Sequence, residues 1–128
     1  MDNAEVFEKL RERGAVKAVV EFSGGNDEGG ADGIVLYDSD GERIGEVEGH
    51  HFGGYWDPEK KRFVEVFPAP EQRIETELAE ALESPVYEEY GGFAGDFSVS
   101  GRVTWGAETG KVSMSGEESE YLPFDKEL

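Results

Sequence analysis

The chain has 128 residues, and its 30 Asp and Glu side chains against 12 Lys and Arg give a formal net charge of −18 at pH 7. Hydrophobic residues make up 37% of the sequence, with eight Phe, five Tyr and two Trp, which is enough for one core and excludes wholesale disorder. The charge excludes direct binding of nucleic acid or of an anionic membrane surface, because phosphate contacts need Lys and Arg, and it attracts basic partners instead.

The first third of the chain predicts a helix, a strand and a glycine-rich loop. Residues 3–13 have an amphipathic helical pattern, and Asp2 and Glu5 have capping-box spacing at its start. Residues 15–22 alternate between apolar and polar side chains, which predicts a strand with one dry face. Five of the eleven residues from 23 to 33 are Gly and three are acidic, so this segment is predicted to be an exposed, mobile loop.

The middle of the chain predicts two hairpins. A strand over 34–37 leads into an Asp-Gly turn at 38–41 and a return strand over 42–48. A second hairpin is predicted from strands over 50–56 and 62–67, joined by a turn that contains a proline. One face of the strand over 42–48 carries Glu42, Ile44, Glu46 and Glu48. That face is therefore expected to be wet or to contact a partner.

A second helix is predicted from Glu71 to Leu82 by its apolar spacing. Ser84 and Pro85 are predicted to restart or kink it, with Ser as a cap and Pro at the first helical position. The Gly-Gly pair that begins at Gly91 is predicted to stop it. The exposed face of this helix carries Glu71, Glu75, Glu77, Glu80 and Glu83.

The C-terminal part of the chain predicts a long hairpin and a tail. Residues 97–105 alternate as a strand, and 111–115 form its return strand. Residues 116–128 are polar and acidic and are predicted to dock loosely. Because hairpins and not crossover helices join most strands, the predicted fold class is α+β. We expect one domain over 1–128, with a mainly antiparallel sheet of about five to seven strands and two or three helices packed on one face.

Two stretches of the chain carry a family resemblance. They are Val19-Val-Glu-Phe-Ser-Gly-Gly-Asn-Asp-Glu-Gly29 and Tyr87-Glu-Glu-Tyr-Gly-Gly-Phe-Ala-Gly-Asp-Phe97. Together they resemble an uncharacterised family of small acidic bacterial and mobile-element domains. The resemblance implies a Gly/Asp-rich loop after an early strand, then a helix, a Gly-Gly-aromatic turn and a final hairpin. The family has no assigned activity, so the resemblance bears on the fold and not on the function.

The acidic side chains fall on three predicted surfaces: a strand face, the back of the second helix and the glycine-rich loop. Carboxylates about 6–7 Å apart along a strand face roughly match the phosphate spacing of one DNA strand. The predicted partner-binding residues are Glu42, Glu46, Glu48, Glu71, Glu75, Asp27, Glu28 and Asp32. They predict a non-enzymatic module that occludes a basic, nucleic-acid-handling partner, as inhibitors of host-defence nucleases, immunity proteins or mobile-element accessory proteins do. The competing interpretation is a merely solvated surface, which is the commoner origin of any one acidic run.

Two other classes of function stay open. A Ca²⁺- or ligand-binding domain would use the Gly/Asp-rich loop over 23–33, since calcium takes oxygen ligands from flexible loops. The weak metal candidates are His50, His51, Asp38 and Asp40. Adjacent strand residues such as the two histidines point to opposite faces, and a zinc site would need two further ligands. A small enzyme of unknown class is the third alternative. The sequence contains neither a P-loop nor a Ser-His-Asp order, so it predicts no catalytic residue and no cofactor.

The chain contains no cysteine, which excludes disulfides, thiolate catalysis and cysteine metal sites and is compatible with a reducing cytoplasm. Its N-terminus is acidic and no long apolar run follows it, so neither a secretory signal nor a transmembrane span is predicted. We therefore expect a cytoplasmic protein whose partner is a basic, nucleic-acid-binding protein.

Overall fold

The computed structural model describes residues 1–26, 28–48, 54–65, 69–91, 98–118 and 122–128. Two helices and eight strands occur in these ranges. They are α1 (Asn3–Glu12), β1 (Lys17–Gly25), β2 (Glu28–Tyr37), β3 (Arg43–Glu46), β4 (Gly54–Asp57), β5 (Arg62–Glu65), α2 (Pro70–Tyr90), β6 (Ser98–Gly106), β7 (Lys111–Glu118) and β8 (Leu122–Glu127). This content confirms the predicted α+β class.

Six of the strands form one antiparallel sheet in the order β3-β2-β1-β6-β7-β8. The central strand β1 pairs on one side with β2 and on the other with β6, which the chain reaches only after α2. The two remaining strands, β4 and β5, form a separate hairpin. The main sheet therefore has the antiparallel, hairpin-rich topology that the sequence predicted.

The core lies between one face of the six-stranded sheet and the two helices. α2 contacts β1, β2, β6 and α1. α1 begins where the Asp2 carboxylate accepts a hydrogen bond from the Glu5 amide at 2.9 Å, as the predicted capping box requires. The largest fully buried side chains are Trp105, Phe22, Leu10, Leu78, Leu82, Met114, Val6, Val20, Val86 and Val103. They alternate along the strands and recur every four residues in the helices. With the other buried residues they form one continuous core.

The sequence predicted that the second helix restarts or kinks at Ser84 and Pro85, and the structure shows that it does not restart there. α2 continues through Pro85 to Tyr90. A proline inside a helix has no N–H for the carbonyl four residues earlier, here that of Ala81. The Ser84 hydroxyl donates to that carbonyl at 2.7 Å, and Pro85 itself is buried in the core. The replacement hydrogen bond and the apolar packing let the helix run on to its predicted stop at Gly91, where φ is +57°.

The segment predicted as a mobile loop over 23–33 is instead the end of a long hairpin. β1 and β2 stay paired through Gly24 with Gly29 and Gly25 with Glu28. Gly25 also pairs with Ser98 of β6. The loop prediction is wrong because ladder hydrogen bonds join backbone groups and need no side chain, and a strand on either side of β1 compensates for the flexibility of glycine.

The hairpin predicted over 50–56 and 62–67 is present as β4 and β5, whose described parts cover 54–57 and 62–65. Its turn is organised by the Asp57 carboxylate, which accepts hydrogen bonds from the amides of Glu59 and Lys60 at 3.0 and 3.2 Å. At the C-terminus, where a loosely docked tail was expected over 116–128, the structure has the end of β7 and the edge strand β8.

Candidate acidic interaction surface

A β-bulge in β2 determines where one acidic side chain points. Glu21 pairs with Gly33 and Phe22 pairs with Ala31, so Asp32 is the extra residue of β2 and has no partner across the β1 ladder. A bulge redirects the side chain that it carries and bends its strand. The Ser23 hydroxyl donates to the Asp32 carboxylate at 2.8 Å and holds it in place.

The end of β3 brings further carboxylates to the same stretch of β2. Val35 pairs with Glu46, and the amide of Val47 donates to the carbonyl of Ile34 at 3.2 Å. Val47 is buried, whereas Glu46 and Glu48 on either side of it are exposed. The alternation around one buried valine therefore carries both glutamates to the surface beside the bulge.

Four acidic residues, from β2, β3, the residues after β3, and α2, line one depression of about 320 Å³. We call it the acidic depression and define it by Asp32, Glu46, Glu48 and Glu83. Its apolar floor includes the buried side chains of Ile34 and Val47. Carboxylates over an apolar floor are suited to a long basic side chain, whose stem packs on apolar atoms while its head group meets the acids.

Cations within the described residues balance only a small part of the negative charge. Their ion pairs include Lys9–Glu12, Arg13–Glu75, Arg43–Glu46, Arg102–Glu21, Lys111–Glu127 and Lys126–Glu89. At the acidic depression, Arg43 pairs with Glu46, and both side chains are about half exposed. Exposed pairs of this kind contribute only about 0–1 kcal/mol, so a partner's cation can replace Arg43 at little cost.

The predicted partner-binding residues do not all lie together. Asp32, Glu46 and Glu48 line the acidic depression. Glu28 lies near the tip of the β1–β2 hairpin, in a second, more open depression that Asp32 and Tyr87 also line. The remaining two exposed residues, Glu42 in the β2–β3 turn and Glu71 in the first turn of α2, line neither of these depressions. Asp27 lies outside the described residues.

Glu75 has a structural partner of its own. The two guanidinium nitrogens of Arg13 donate to its two carboxylate oxygens, with the Nη1–Oε1 distance at 3.2 Å. The two side chains are only 30% and 23% exposed. This bidentate pair connects the end of α1 to α2, so the negative charge of Glu75 is neutralised within the protein.

Glu83 belongs to the depression although the sequence pattern did not select it as a partner-binding residue. It lies four residues after Ala79 and three before Val86, both of which are buried. This spacing places it at the border of the buried face of α2 and beside the sheet, whereas Glu77 and Glu80 are exposed. An acidic residue at the border of a helix's apolar face was the signal that would have identified it.

Two of the four weak metal candidates, Asp38 and Asp40, lie within the described residues. Among the described residues, no three His, Asp or Glu side chains are placed to hold a metal ion. One carboxylate oxygen of Asp38 accepts hydrogen bonds from the amides of Asp40 and Glu42, both at 2.9 Å, so Asp38 organises the predicted turn. His50 and His51 lie outside the described residues.

The acidic surroundings also change the chemistry of Tyr90 at the end of α2. Burial, then the negative charges of Glu118 and Glu89 and a hydrogen bond to Glu118, raise the pKa of Tyr90 to about 12. Its ring packs 5.7 Å from that of Phe22, between centroids. The ring therefore connects the helix to the sheet, and the folded state disfavours ionisation of its hydroxyl.

We expect the stability contributed by Tyr90 to depend on pH above its ordinary pKa of about 10. Because the folded-state pKa is the higher one, at about 12, this stability is complete below pH ~10 and is lost as pH rises towards ~12. Urea unfolding of the wild type and Tyr90→Phe across this range measures it. The wild-type advantage should shrink as pH rises, and a constant difference would contradict the assignment.

Comparison of the chain with models of known families, with curated proteins and with solved structures finds no match. The resemblance to a family of small acidic domains therefore stays a prediction. Neither helix in the described ranges is long and apolar enough to cross a membrane.

Proposed function

We propose that the protein is a non-enzymatic binding module that occludes a basic surface on a nucleic-acid-handling protein in the cytoplasm. The observation that carries this proposal is the convergence of Asp32, Glu46, Glu48 and Glu83 at one depression. They come from separate parts of the chain, and the β2 bulge and the end of β3 bring them together. A partner's Lys or Arg side chains would enter the depression as they would otherwise approach phosphates.

The net charge of −18 supports the same proposal at longer range. Such a field accelerates the encounter with a basic protein and repels nucleic acid, the competitor for the same basic surface. The two effects have different origins, because the net charge steers the approach and the depression selects where the cations settle. An experiment that neutralises the same number of carboxylates, either inside or outside the acidic depression, separates the two effects.

The first test compares two variants with equal net charge. One carries Asp32→Asn, Glu46→Gln, Glu48→Gln and Glu83→Gln. The control carries Glu5→Gln, Glu8→Gln, Glu108→Gln and Asp125→Asn, all at exposed positions outside the acidic depression. The probe is a fluorescein-labelled deca-arginine peptide, followed by anisotropy. In about 0.1 M NaCl we expect the first variant to lose roughly tenfold or more in affinity and the control less than about threefold.

The salt dependence and the matched control decide the result of this test. Affinity of the wild type should fall steeply between about 0.1 and 1 M NaCl, where the Debye length shortens from about 10 to about 3 Å. Equal losses in the two variants would show that the acidity acts only through net charge. A salt-independent affinity would remove the electrostatic mechanism altogether.

Occlusion is tested by competition with DNA for the same peptide. A labelled duplex is first bound by deca-arginine, and the protein is then titrated into the complex. We expect the wild type to release the duplex and the depression variant to need a concentration roughly tenfold higher. A stable complex that contains protein, peptide and duplex together would contradict occlusion.

A further inference from the structure

The β4–β5 hairpin exposes three aromatic side chains. Tyr55, Trp56 and Phe63 are 55%, 60% and 61% exposed. Trp56 pairs directly with Phe63 across the hairpin, so the two rings lie on the same face, which we call the aromatic face. Within the described ranges this hairpin shares no ladder with the six-stranded sheet. The aromatic face is therefore not part of the core of the domain.

An exposed hairpin of this composition is unusual for a lone chain. Aromatic side chains have about 150–250 Å² each to bury, so Trp56 and Phe63, at 60% and 61% exposure, leave roughly 200–300 Å² of apolar surface uncovered on the aromatic face. Tyr55 lies on the opposite face of the hairpin. Exposed aromatic side chains are enriched at protein interfaces. A two-stranded hairpin is also only marginally stable in water and gains stability from an apolar cover. Both arguments favour a partner that packs on the aromatic face.

The charge of the hairpin indicates which partner covers it. Residues 54–65 contain three acids and three bases, so they carry no net charge, and the remainder of the chain carries the whole −18. Two copies repel one another strongly where their bodies approach. At the hairpin, in contrast, Lys60 and Arg62 stand beside Asp57 and Glu59. A segment with both signs of charge is complementary to itself when two copies meet about a two-fold axis.

We propose that the aromatic face is a self-association surface that docks on the same face of a second copy. Trp56 and Phe63 of one copy pack on those of the other, and the cations of each turn lie opposite the acids of the other turn. A two-fold arrangement forms every such contact twice. In this arrangement the joined hairpins lie between the two acidic bodies.

Sedimentation velocity over a range of protein concentrations up to about 200 μM tests the proposal. We expect a monomer–dimer equilibrium that tightens between about 0.1 and 1 M NaCl, because screening removes the repulsion between the bodies. Binding to deca-arginine has the opposite salt dependence, so failure of one proposal is distinguishable from failure of the other. The Trp56→Ser, Phe63→Ser double variant should raise the dimer Kd at least about tenfold.

Two further variants control for folding and for general hydrophobicity. Ile44→Ser removes an apolar side chain that is similarly exposed, at 43%, but lies on β3, and it should leave the dimer Kd unchanged. Lys60→Glu adds a carboxylate at the turn and should weaken the dimer without removing an aromatic ring. Circular dichroism and the melting temperature establish that each variant keeps the main fold. A monomer at the highest concentration in both salts, or a dimer that persists in the double variant, would overturn the proposal.

Discussion

Replacing Trp105 with alanine is expected to destabilise the fold by about 3–5 kcal/mol. The indole of Trp105 is only 2% exposed, its Nε1–H donates to the carbonyl of Leu82 at 3.0 Å, and its ring packs edge-to-face against Phe7 with centroids 5.6 Å apart. The single side chain thus connects β6 to both helices. Because small domains have a free energy of unfolding of only about 5–15 kcal/mol, urea unfolding followed by circular dichroism should show a large fall in the midpoint.

The other tryptophan is the matched control for this prediction. Trp56 is 60% exposed, so Trp56→Ala should change the unfolding midpoint of the main fold by less than the equivalent of about 0.5 kcal/mol. Trp105→Phe should fall between the two, since it keeps an aromatic ring and loses the hydrogen bond to Leu82. Equal destabilisation by the two alanine variants would contradict the assigned core.

Replacing Gly101 with alanine is expected to cost about 1–3 kcal/mol, even though the change adds only one methyl group. A Cβ on Gly101 would overlap the carbonyl oxygen of Ser115 and would lie 3.1 Å from both the Phe22 ring and the Cα of Gly116. Two of these neighbours are backbone atoms of β7, so the methyl group can be accommodated only if β6 and β7 move apart. Thermal and urea unfolding of Gly101→Ala measure the cost.

Gly45→Ala tests whether the close approach, and not the loss of a glycine as such, is responsible. A Cβ at Gly45 would meet no atom within 4 Å, and Gly45 is also in a strand, β3. The free energy of unfolding of the Gly45→Ala variant should therefore stay within about 0.5 kcal/mol of that of the wild type. If Gly101→Ala lowered the free energy of unfolding no more than Gly45→Ala does, the close approach of β6 and β7 at Gly101 would be contradicted.

The strand and helix pattern was readable from the sequence wherever apolar side chains recurred at a regular period. The apolar alternation of residues 15–22 does not extend into the glycine run that follows. The prediction failed there, as at Gly24 and Gly25, because their pairing depends on the backbones of β2 and β6. At Pro85 the predicted restart of the helix does not occur, because a hydroxyl one residue earlier bonds the carbonyl that Pro85 leaves without an amide partner and because Pro85 is buried in the core. In both places a local preference was overridden by partners distant in the chain or by a specific hydrogen bond.

The candidate site was predicted in its chemistry and only partly in its membership. The exposed carboxylates of Glu46 at the end of β3 and of Glu48 just after it were identified from alternation alone. That Asp32 lines the same depression as Glu46 and Glu48 was not predicted, because it depends on a bulge that no side-chain period reveals. Glu75 matched the acidic pattern of its helix equally well, yet it pairs with Arg13, which lies far away in the sequence. Periodicity identifies the face of an element, and only packing identifies what that face meets.

By itself the sequence determined the α+β class, the negative charge and most element types, because these depend on composition and on periods of two or about 3.6 residues. Tertiary structure alone decided which acids meet at the acidic depression, which one is neutralised by Arg13, and which aromatic side chains stay outside the core. The physical reason is that a charge or a ring acquires its role from neighbours that strand register and helix packing bring within a few ångströms. Composition gives the number of such groups and not their positions in the fold.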